Sequence, residues 1–294
     1  MTRVPFKTVD VFTSTPFKGN PVAVVLDARD LSTSQMQQIA SWTNLSETTF
    51  IVPVTADGAD YHLRIFTPGA ELPFAGHPTI GTAHALLEAG MIEAKNGKLV
   101  QQCTAGLIQL RVERADDGKR WISFDLPEQK FTALDAEQVV ELEAILGTPL
   151  DPRRPPLLVD VGTRWVVVQL PSAQAVLDNR PDLQRMKVQD SKGRHTGVII
   201  FGPHPAGAKA TIEVRAFAPA HGISEDPVCG SGNGSVAAYI RHTGQTSSFG
   251  HDFLATQGAM VGRAGVLRLS ISDTAIRVGG TAIICVDGEL SLAE

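Results

Sequence analysis

Runs of apolar and β-branched residues recur along the chain in a repeating order, and that order predicts the elements. Val9-Asp10-Val11-Phe12 and the glycine-led stretch Gly19-Asn20-Pro21-Val22-Ala23-Val24-Val25-Leu26 read as strands. Val159-Asp160-Val161-Gly162 and Gly162-Thr163-Arg164-Trp165-Val166-Val167-Val168-Gln169 repeat that character. A helix is predicted after each pair. The first covers residues 32–43, with Ser32 or Thr33 as its cap and apolar Met36, Ile39, Ala40 and Trp42 at helical spacing. The second covers residues 173–178, with a further turn around Leu183. Strand patterns follow at residues 48–52 and 61–66, matched by 198–201 and 211–217. Each half then has a helix, over residues 78–89 closed by Gly90 and over 234–242 closed by Gly244. Strand patterns at 106–112 and 121–126, and at 266–271 and 281–286, finish the two halves.

The clearest sign of duplication lies between strand and helix. Arg64-Ile65-Phe66-Thr67-Pro68 precedes Pro73-Phe74-Ala75-Gly76-His77-Pro78-Thr79, and Arg215-Ala216-Phe217-Ala218-Pro219 precedes Pro227-Val228-Cys229-Gly230-Ser231-Gly232-Asn233. Both run R-x-F-x-P, a loop, then P-x-x-G into an apolar helical pattern. Ile80, Ala83, Ala85, Leu86 and Leu87 leave the first of these helices little polar face, so it must be surrounded. A curved sheet around a central helix satisfies this, giving an α+β class. Pro127 and the segment Asp-Pro-Arg-Arg-Pro-Pro at 151–156 punctuate the passage between halves, with a helix around 135–146. We place the domains at residues 1–127 and 128–281, with a last strand near 282–294 that can pack on the first. Two helix N-termini aimed at one another would build an anion-binding cleft between the halves.

Composition narrows the function more than the fold. The 294 residues carry a net charge of −5 and 43% hydrophobic residues, with no basic tract, so nucleic acid is not expected as a partner. No apolar run reaches membrane-spanning length, and the N-terminal segment has no signal-like core; membrane association is not expected, and a cytoplasmic location is. Cys103, Cys229 and Cys285 lack metal-ligand or disulfide-framework spacing. Neither of the common glycine-rich phosphate motifs is present. No metal or cofactor is therefore expected.

Asn44-Leu45-Ser46-Glu47-Thr48-Thr49-Phe50, the two R-x-F-x-P units, Glu71-Leu72-Pro73-Phe74-Ala75-Gly76-His77-Pro78-Thr79 and Glu225-Asp226-Pro227-Val228-Cys229-Gly230-Ser231 resemble the phenazine-biosynthesis (PhzF-like) isomerase family. Val9-Asp10-Val11-Phe12, Gly19-Asn20-Pro21 and Gln257-Gly258-x-x-x-Gly262-Arg263 fit as well, and the resemblance covers nearly the whole chain. It implies a diaminopimelate-epimerase-like fold of two pseudo-symmetric domains, each a barrel-like sheet around a central helix, with the active site in the cleft. It also implies a homodimer and cofactor-free chemistry.

By that resemblance Glu47 is the general acid/base, carrying a proton from one substrate carbon to another on the same face; this needs a site that brings its pKa toward neutrality. His77 is implied to contact substrate or handle protons, and its place at a helix start disfavours the imidazolium. Asp226 and Ser231 are implied to bind substrate and set protonation, whereas Glu225 reads as an exposed neighbour and His84 as a packed helix residue. Gly76 and Gly230 would let helix-start N–H groups approach a carboxylate, which predicts a small anionic metabolite. Cys229 departs from the family's usual threonine. It stands opposite Ala75, where related two-cysteine racemases carry the paired thiols. It reads either as a small residue filling the threonine's space or as a reactive thiol, while Cys103 and Cys285 read as buried. Three functions stay open: a Glu47 isomerase, a racemase or epimerase using Glu47 and Cys229, and a non-catalytic ligand-binding dimer.

Overall fold

In a computed structural model that describes residues 2–115 and 118–292, the chain divides into two units, Met1–Phe124 with Gly279–Glu294, and Asp125–Val278. The first unit contains β1 (Thr2–Val11), β2 (Asn20–Val25), α1 (Thr33–Thr43), β3 (Thr48–Val52), β4 (Tyr61–Phe66), β5 (Glu71–Leu72), α2 (Gly76–Glu88), β6 (Lys98–Cys103), β7 (Gly106–Arg114) and β8 (Arg120–Asp125), which ends at the boundary. Strand β2 runs antiparallel to β1 and parallel to β3. Strand β4 is antiparallel to β3 and β5 but parallel to β6, and β6, β7 and β8 form an antiparallel run.

The second unit repeats this order. It contains β9 (Lys130–Ala133), α3 (Ala136–Leu146), β10 (Leu157–Asp160), β11 (Arg164–Gln169), α4 (Ala173–Asp178), α5 (Leu183–Gly193), β12 (Gly197–Pro203), β13 (Ile212–Ala218), β14 (Ile223–Asp226), α6 (Gly230–His242), α7 (Thr246–Phe249), β15 (Asp252–Gln257), β16 (Gly265–Ile271) and β17 (Ile276–Gly280). Here β10–β11 is antiparallel, β11–β12 parallel, β12–β13 and β13–β14 antiparallel, β13–β15 parallel and β15–β16 antiparallel. These six pairings match in order and direction the first six of the first unit. The final strand, β18 (Ala282–Leu292), returns to the first unit and pairs antiparallel with β1, from Thr2↔Leu292 to Val11↔Ala282. The last two residues of the predicted 282–294 segment lie outside the described residues.

The central helices are buried for a reason legible in their composition. Every residue of α2 from His77 to Leu86 is buried, against β1, β2 and β18. Gly81 permits that closeness: a Cβ there would meet Val22 Cγ1 at 2.5 Å and Val11 Cγ2 at 2.8 Å. The α6 helix, also 13 residues, is buried from Gly232 to Ile240. In the second unit Leu142, Ile145 and Leu146 of α3 pack with Val198, Ile200 and Phe217. Residues 128–156 are thus part of that unit and do not form a connection between the two.

Several local expectations change. Helix α6 starts at Gly230, four residues before the predicted start, because Cys229 already caps it. The turn around Leu183 is an 11-residue helix capped by Asp182. Trp42 is 76% exposed, so only Met36 and Ala40 of the four apolar α1 positions are buried. Cys285 is half-buried, whereas Cys103 is buried. Strands β6, β9 and β15 were not anticipated: KLVQQC and DFLATQ bury alternate residues, but glutamines among them weaken the apolar signal. Among the described residues no helix is long and apolar enough to cross a membrane.

Candidate functional site

In the first unit the site is assembled where β3 begins beside the start of α2. Helix α1 ends at Asn44, whose φ of 54° turns the chain back, and β3 begins one residue after Glu47. The main chain there is fixed on both sides. Ala23 N–H donates to Glu47 O at 3.4 Å, and the Thr43 and Thr48 hydroxyls meet at 2.7 Å. One residue further, Thr49 Oγ1 donates to Ala23 O at 3.1 Å and meets Thr82 Oγ1 of α2 at 2.9 Å. This hydroxyl contact locks the strand that carries Glu47 to the helix that carries His77.

The two side chains come together. His77 Nε2 lies 3.3 Å from Glu47 Oε2, with both side chains largely buried. The other ring nitrogen is held by the Pro21 carbonyl; since proline offers no N–H, the imidazole must be the donor, and Nδ1 carries the hydrogen. Burial drives the His77 pKa down to about 3, against a small upward pull from that carbonyl. The ring is therefore neutral near pH 7 and presents an Nε2 lone pair to the carboxyl. Glu47 Oε2 and His77 Nε2 are both buried, and their approach falls short of a hydrogen bond in this arrangement.

The Gly19-Asn20-Pro21 turn that carries this carbonyl is itself anchored. Gly19 N–H donates to Asp10 Oδ2 at 3.0 Å, and Asp10 is 2% exposed. Sequence reasoning recognised both segments but gave neither a role, because a backbone carbonyl has no sequence signature. Gly76 opens α2 after Ala75, and no side chain caps the first-turn N–H groups. A Cβ at Gly76 would meet Phe124 Cζ at 2.6 Å, so packing alone already demands glycine here. His84 lies two turns along α2, buried, with its pKa lowered to about 4 mainly by desolvation. It is a packed residue, as its sequence position indicated.

The second unit gathers a different group at the equivalent turn. Cys229 is the N-cap of α6, its Sγ accepting from Gly232 N–H at 3.3 Å and lying 3.6 Å from Ser231 Oγ. Ser231 Oγ also accepts from Trp165 Nε1 at 3.1 Å. Gly230 is the first residue of the helix and is buried. Asp226 accepts from Val228 N–H at 3.0 Å and interacts with the Cys229 side chain. Burial nevertheless raises its pKa to about 6, with the neighbouring Glu225 charge adding to the rise and the two hydrogen bonds opposing it. Asp226, Cys229 and Ser231 thus form one cluster at the start of a helix, built from a carboxyl poised near neutrality, a thiol and a hydroxyl.

Glu225 is not the exposed neighbour that its sequence context indicated. Its two oxygens take a guanidinium fork from Arg215, Nε at 2.9 Å and Nη2 at 2.8 Å, with both side chains at 10% exposure or less. The first unit repeats the fork, Arg64 to Glu71 at 2.8 and 2.7 Å. Each guanidinium also lies over the phenylalanine two residues on, 5.1 Å from the Phe66 centroid and 4.9 Å from that of Phe217. The R-x-F repeat is therefore a clamp that ties β4 and β13 to the short strands β5 and β14 ahead of each central helix.

Comparison with known proteins agrees with this architecture. Residues 9–288 match the family described as phenazine biosynthesis-like protein, PhzC-PhzF. The chain is 43% identical over 297 residues to antisense-enhancing sequence 1 of Schizosaccharomyces pombe, covering 98% of this chain and 99% of that one. It is 38% identical over 259 residues to trans-2,3-dihydro-3-hydroxyanthranilate isomerase of Pseudomonas chlororaphis, covering 88% and 87%. A crystal structure of a Bacillus anthracis PhzF-family phenazine biosynthesis protein superposes with a TM-score of 0.86 at 26% identity, over 99% of this chain and all of that one. A hydroxyproline epimerase from Agrobacterium vitis shares the fold at 14% identity, with a TM-score of 0.65 over 99% and 93%. The two-unit duplication, the paired arginine clamps and these matches along almost the whole chain place it in the phenazine biosynthesis-like PhzC-PhzF family of isomerases.

Proposed function

We propose that this isomerase works without a cofactor and moves a proton within a small carboxylated metabolite, with Glu47 as the acid/base. The observation that carries this reading is the Glu47–His77 approach, 3.3 Å between Oε2 and Nε2, beside a ring held neutral by burial. In the step, the Glu47 carboxylate takes a proton from a substrate C–H, and the bonding pair enters the substrate's conjugated system. The same carboxyl, whose proton exchanges with water between the two transfers, then delivers a proton to another carbon on that face, so the substrate's atoms and electrons are conserved. His77 Nε2 steadies the acid form between the two transfers. Uncapped first-turn N–H groups of α2 are suited to a substrate carboxylate. Asp226 and Ser231 are assigned to substrate binding and to setting its protonation state, with Gly230 and Cys229 shaping that side. The substrate of the Pseudomonas chlororaphis relative, a carboxylated cyclic compound, is the first candidate to test. In deuterated water the native chain is expected to exchange one C–H of the accepted substrate, and Glu47→Gln to lose that exchange by 10³-fold or more, on the order of what a positioned acid/base supplies. Undiminished exchange in the variant refutes the proposal.

One observation favours a second reading. Cys229 places a thiol at a helix N-terminus, in contact with Asp226 and Ser231, and inversion needs a second acid/base besides Glu47. A racemase or epimerase using Glu47 and Cys229 predicts product of inverted configuration that disappears in Cys229→Thr. Retained turnover in that variant assigns Cys229 to capping alone.

A further inference from the structure

The turn Asp226-Pro227-Val228-Cys229 is held by an amide from a distant strand. Gln257, the last residue of β15 and 1% exposed, uses both ends of its side chain. Its Oε1 accepts from Cys229 N–H at 3.1 Å and from Asn233 Nδ2 at 2.7 Å, and its Nε2 donates to Asp226 O at 2.9 Å. Asn233, fully buried in α6, also donates to Cys229 O at 2.9 Å. The carbonyl of Asp226 and both main-chain groups of Cys229 are thus fastened by two buried amides. The first unit has no such device. Ladder register places Cys103 at the position of Gln257, since Gln101 pairs with Tyr61 and Gln102 with His62 in β4, while Gln257 pairs with Val214 in β13. A cysteine side chain cannot make this three-point contact. Instead, the first unit ties Gln101 Nε2 to Thr79 Oγ1 at 3.1 Å.

Gln257 exists in only one half of the duplication, beside Asp226 and Cys229. We infer that Gln257 is a positioning residue, which fixes where the Asp226 carboxyl and the Cys229 thiol point and keeps them away from bulk water. This inference rests on the proposed roles of Asp226 and Cys229 only for its catalytic consequence; the positioning itself is readable without turnover. Among the described residues, the titratable groups that bear on the Asp226 carboxyl include Glu225 on the same strand and Cys229 at the helix cap; Arg215 on the paired strand β13 is engaged by Glu225.

The test uses the full chain carrying ¹³C-labelled aspartate, with Asp226→Asn to assign the resonance. In Gln257→Met, which keeps the volume but breaks all three contacts, the Asp226 titration midpoint is expected to fall by about one unit toward the ordinary 3.8, as water reaches the turn. Iodoacetamide should alkylate Cys229, now 6% exposed, at least about fivefold faster, because thiol reactivity follows access. Gln257→Asn, which keeps the amide but is one methylene short, should move both readouts in the same directions and serves if the methionine variant does not fold. A cooperatively folded variant with native Asp226 titration and native alkylation overturns the inference. If both readouts move while Glu47→Gln and Asp226→Asn keep full C–H exchange, the proposed function falls and the role of Gln257 stands.

Discussion

His77 and Asp226 are both titratable groups removed from water, and their stability effects have opposite signs. The His77 pKa is depressed from 6.5 to about 3 by burial. Its neutral form therefore contributes stability that is full above about 6.5 and is lost as pH falls toward 3. Asp226 is raised from 3.8 to about 6, so its acid form contributes stability below 3.8 that disappears as pH rises through about 6. We predict that Asp226→Asn raises stability at pH 8 by about 1–3 kcal/mol and has little effect at pH 3.5. His77→Gln should flatten the loss of stability between pH 6 and 4, where the remaining His84 and Asp226 contributions oppose one another. Denaturant titrations across pH read both, and a destabilised Asp226→Asn at pH 8 contradicts the assignment. The side chains proposed to act at these positions are legible because they stand inside motifs that resemble those of the family. Their supports are not: the Pro21 carbonyl has no sequence mark, and Gln257 reaches Cys229 across 28 positions of chain.

The Arg–Glu clamps show what the elements contribute. Arg215 and Glu225 are nearly buried, and Arg215 Nη1 also donates to Val176 O at 3.0 Å and Asn179 O at 2.7 Å, so the guanidinium joins α4, β13 and β14. Glu225→Ala would leave a buried charge unpaired, at a cost of about 3–5 kcal/mol. Arg64 and Glu71 are 22% and 28% exposed, and water can compensate a Glu71→Ala change to about 1 kcal/mol or less. Equal costs in thermal or denaturant unfolding would contradict this ordering. At the start of α1, Ser32 and Gln35 form a reciprocal capping box, with Ser32 N–H to Gln35 Oε1 at 2.9 Å and Gln35 N–H to Ser32 Oγ at 3.3 Å. Ser32→Ala should cost about 1 kcal/mol. Strongly apolar elements such as β2, β11 and α2 were readable from pattern. The half-polar β6 and β15 were not, because their buried glutamines look like solvent-facing residues until a partner is known. The start of α6 was misplaced because cysteine is an unusual cap.

Across the whole molecule, duplication supplies the frame and divergence supplies the chemistry. The two units share ladder order, clamp and helix length, yet where α2 begins Ala75-Gly76-His77, α6 begins Cys229-Gly230-Ser231. The aligned position of Asp226 in the first unit is Leu72, so the first turn has no carboxyl at that position. The duplication is visible in sequence as spacing; which side chains each copy gathers at its turn is visible only in the contacts. We also propose a homodimer, for which light scattering should report twice the 31.4 kDa chain mass, and a mass of one chain would exclude it. The central claim concerns Glu47. The most direct measurement is C–H exchange of trans-2,3-dihydro-3-hydroxyanthranilate, and of other small carboxylated metabolites, in deuterated water with native and Glu47→Gln protein. Exchange with the native chain that vanishes in the folded variant is the predicted result, and exchange that persists in Glu47→Gln contradicts the account.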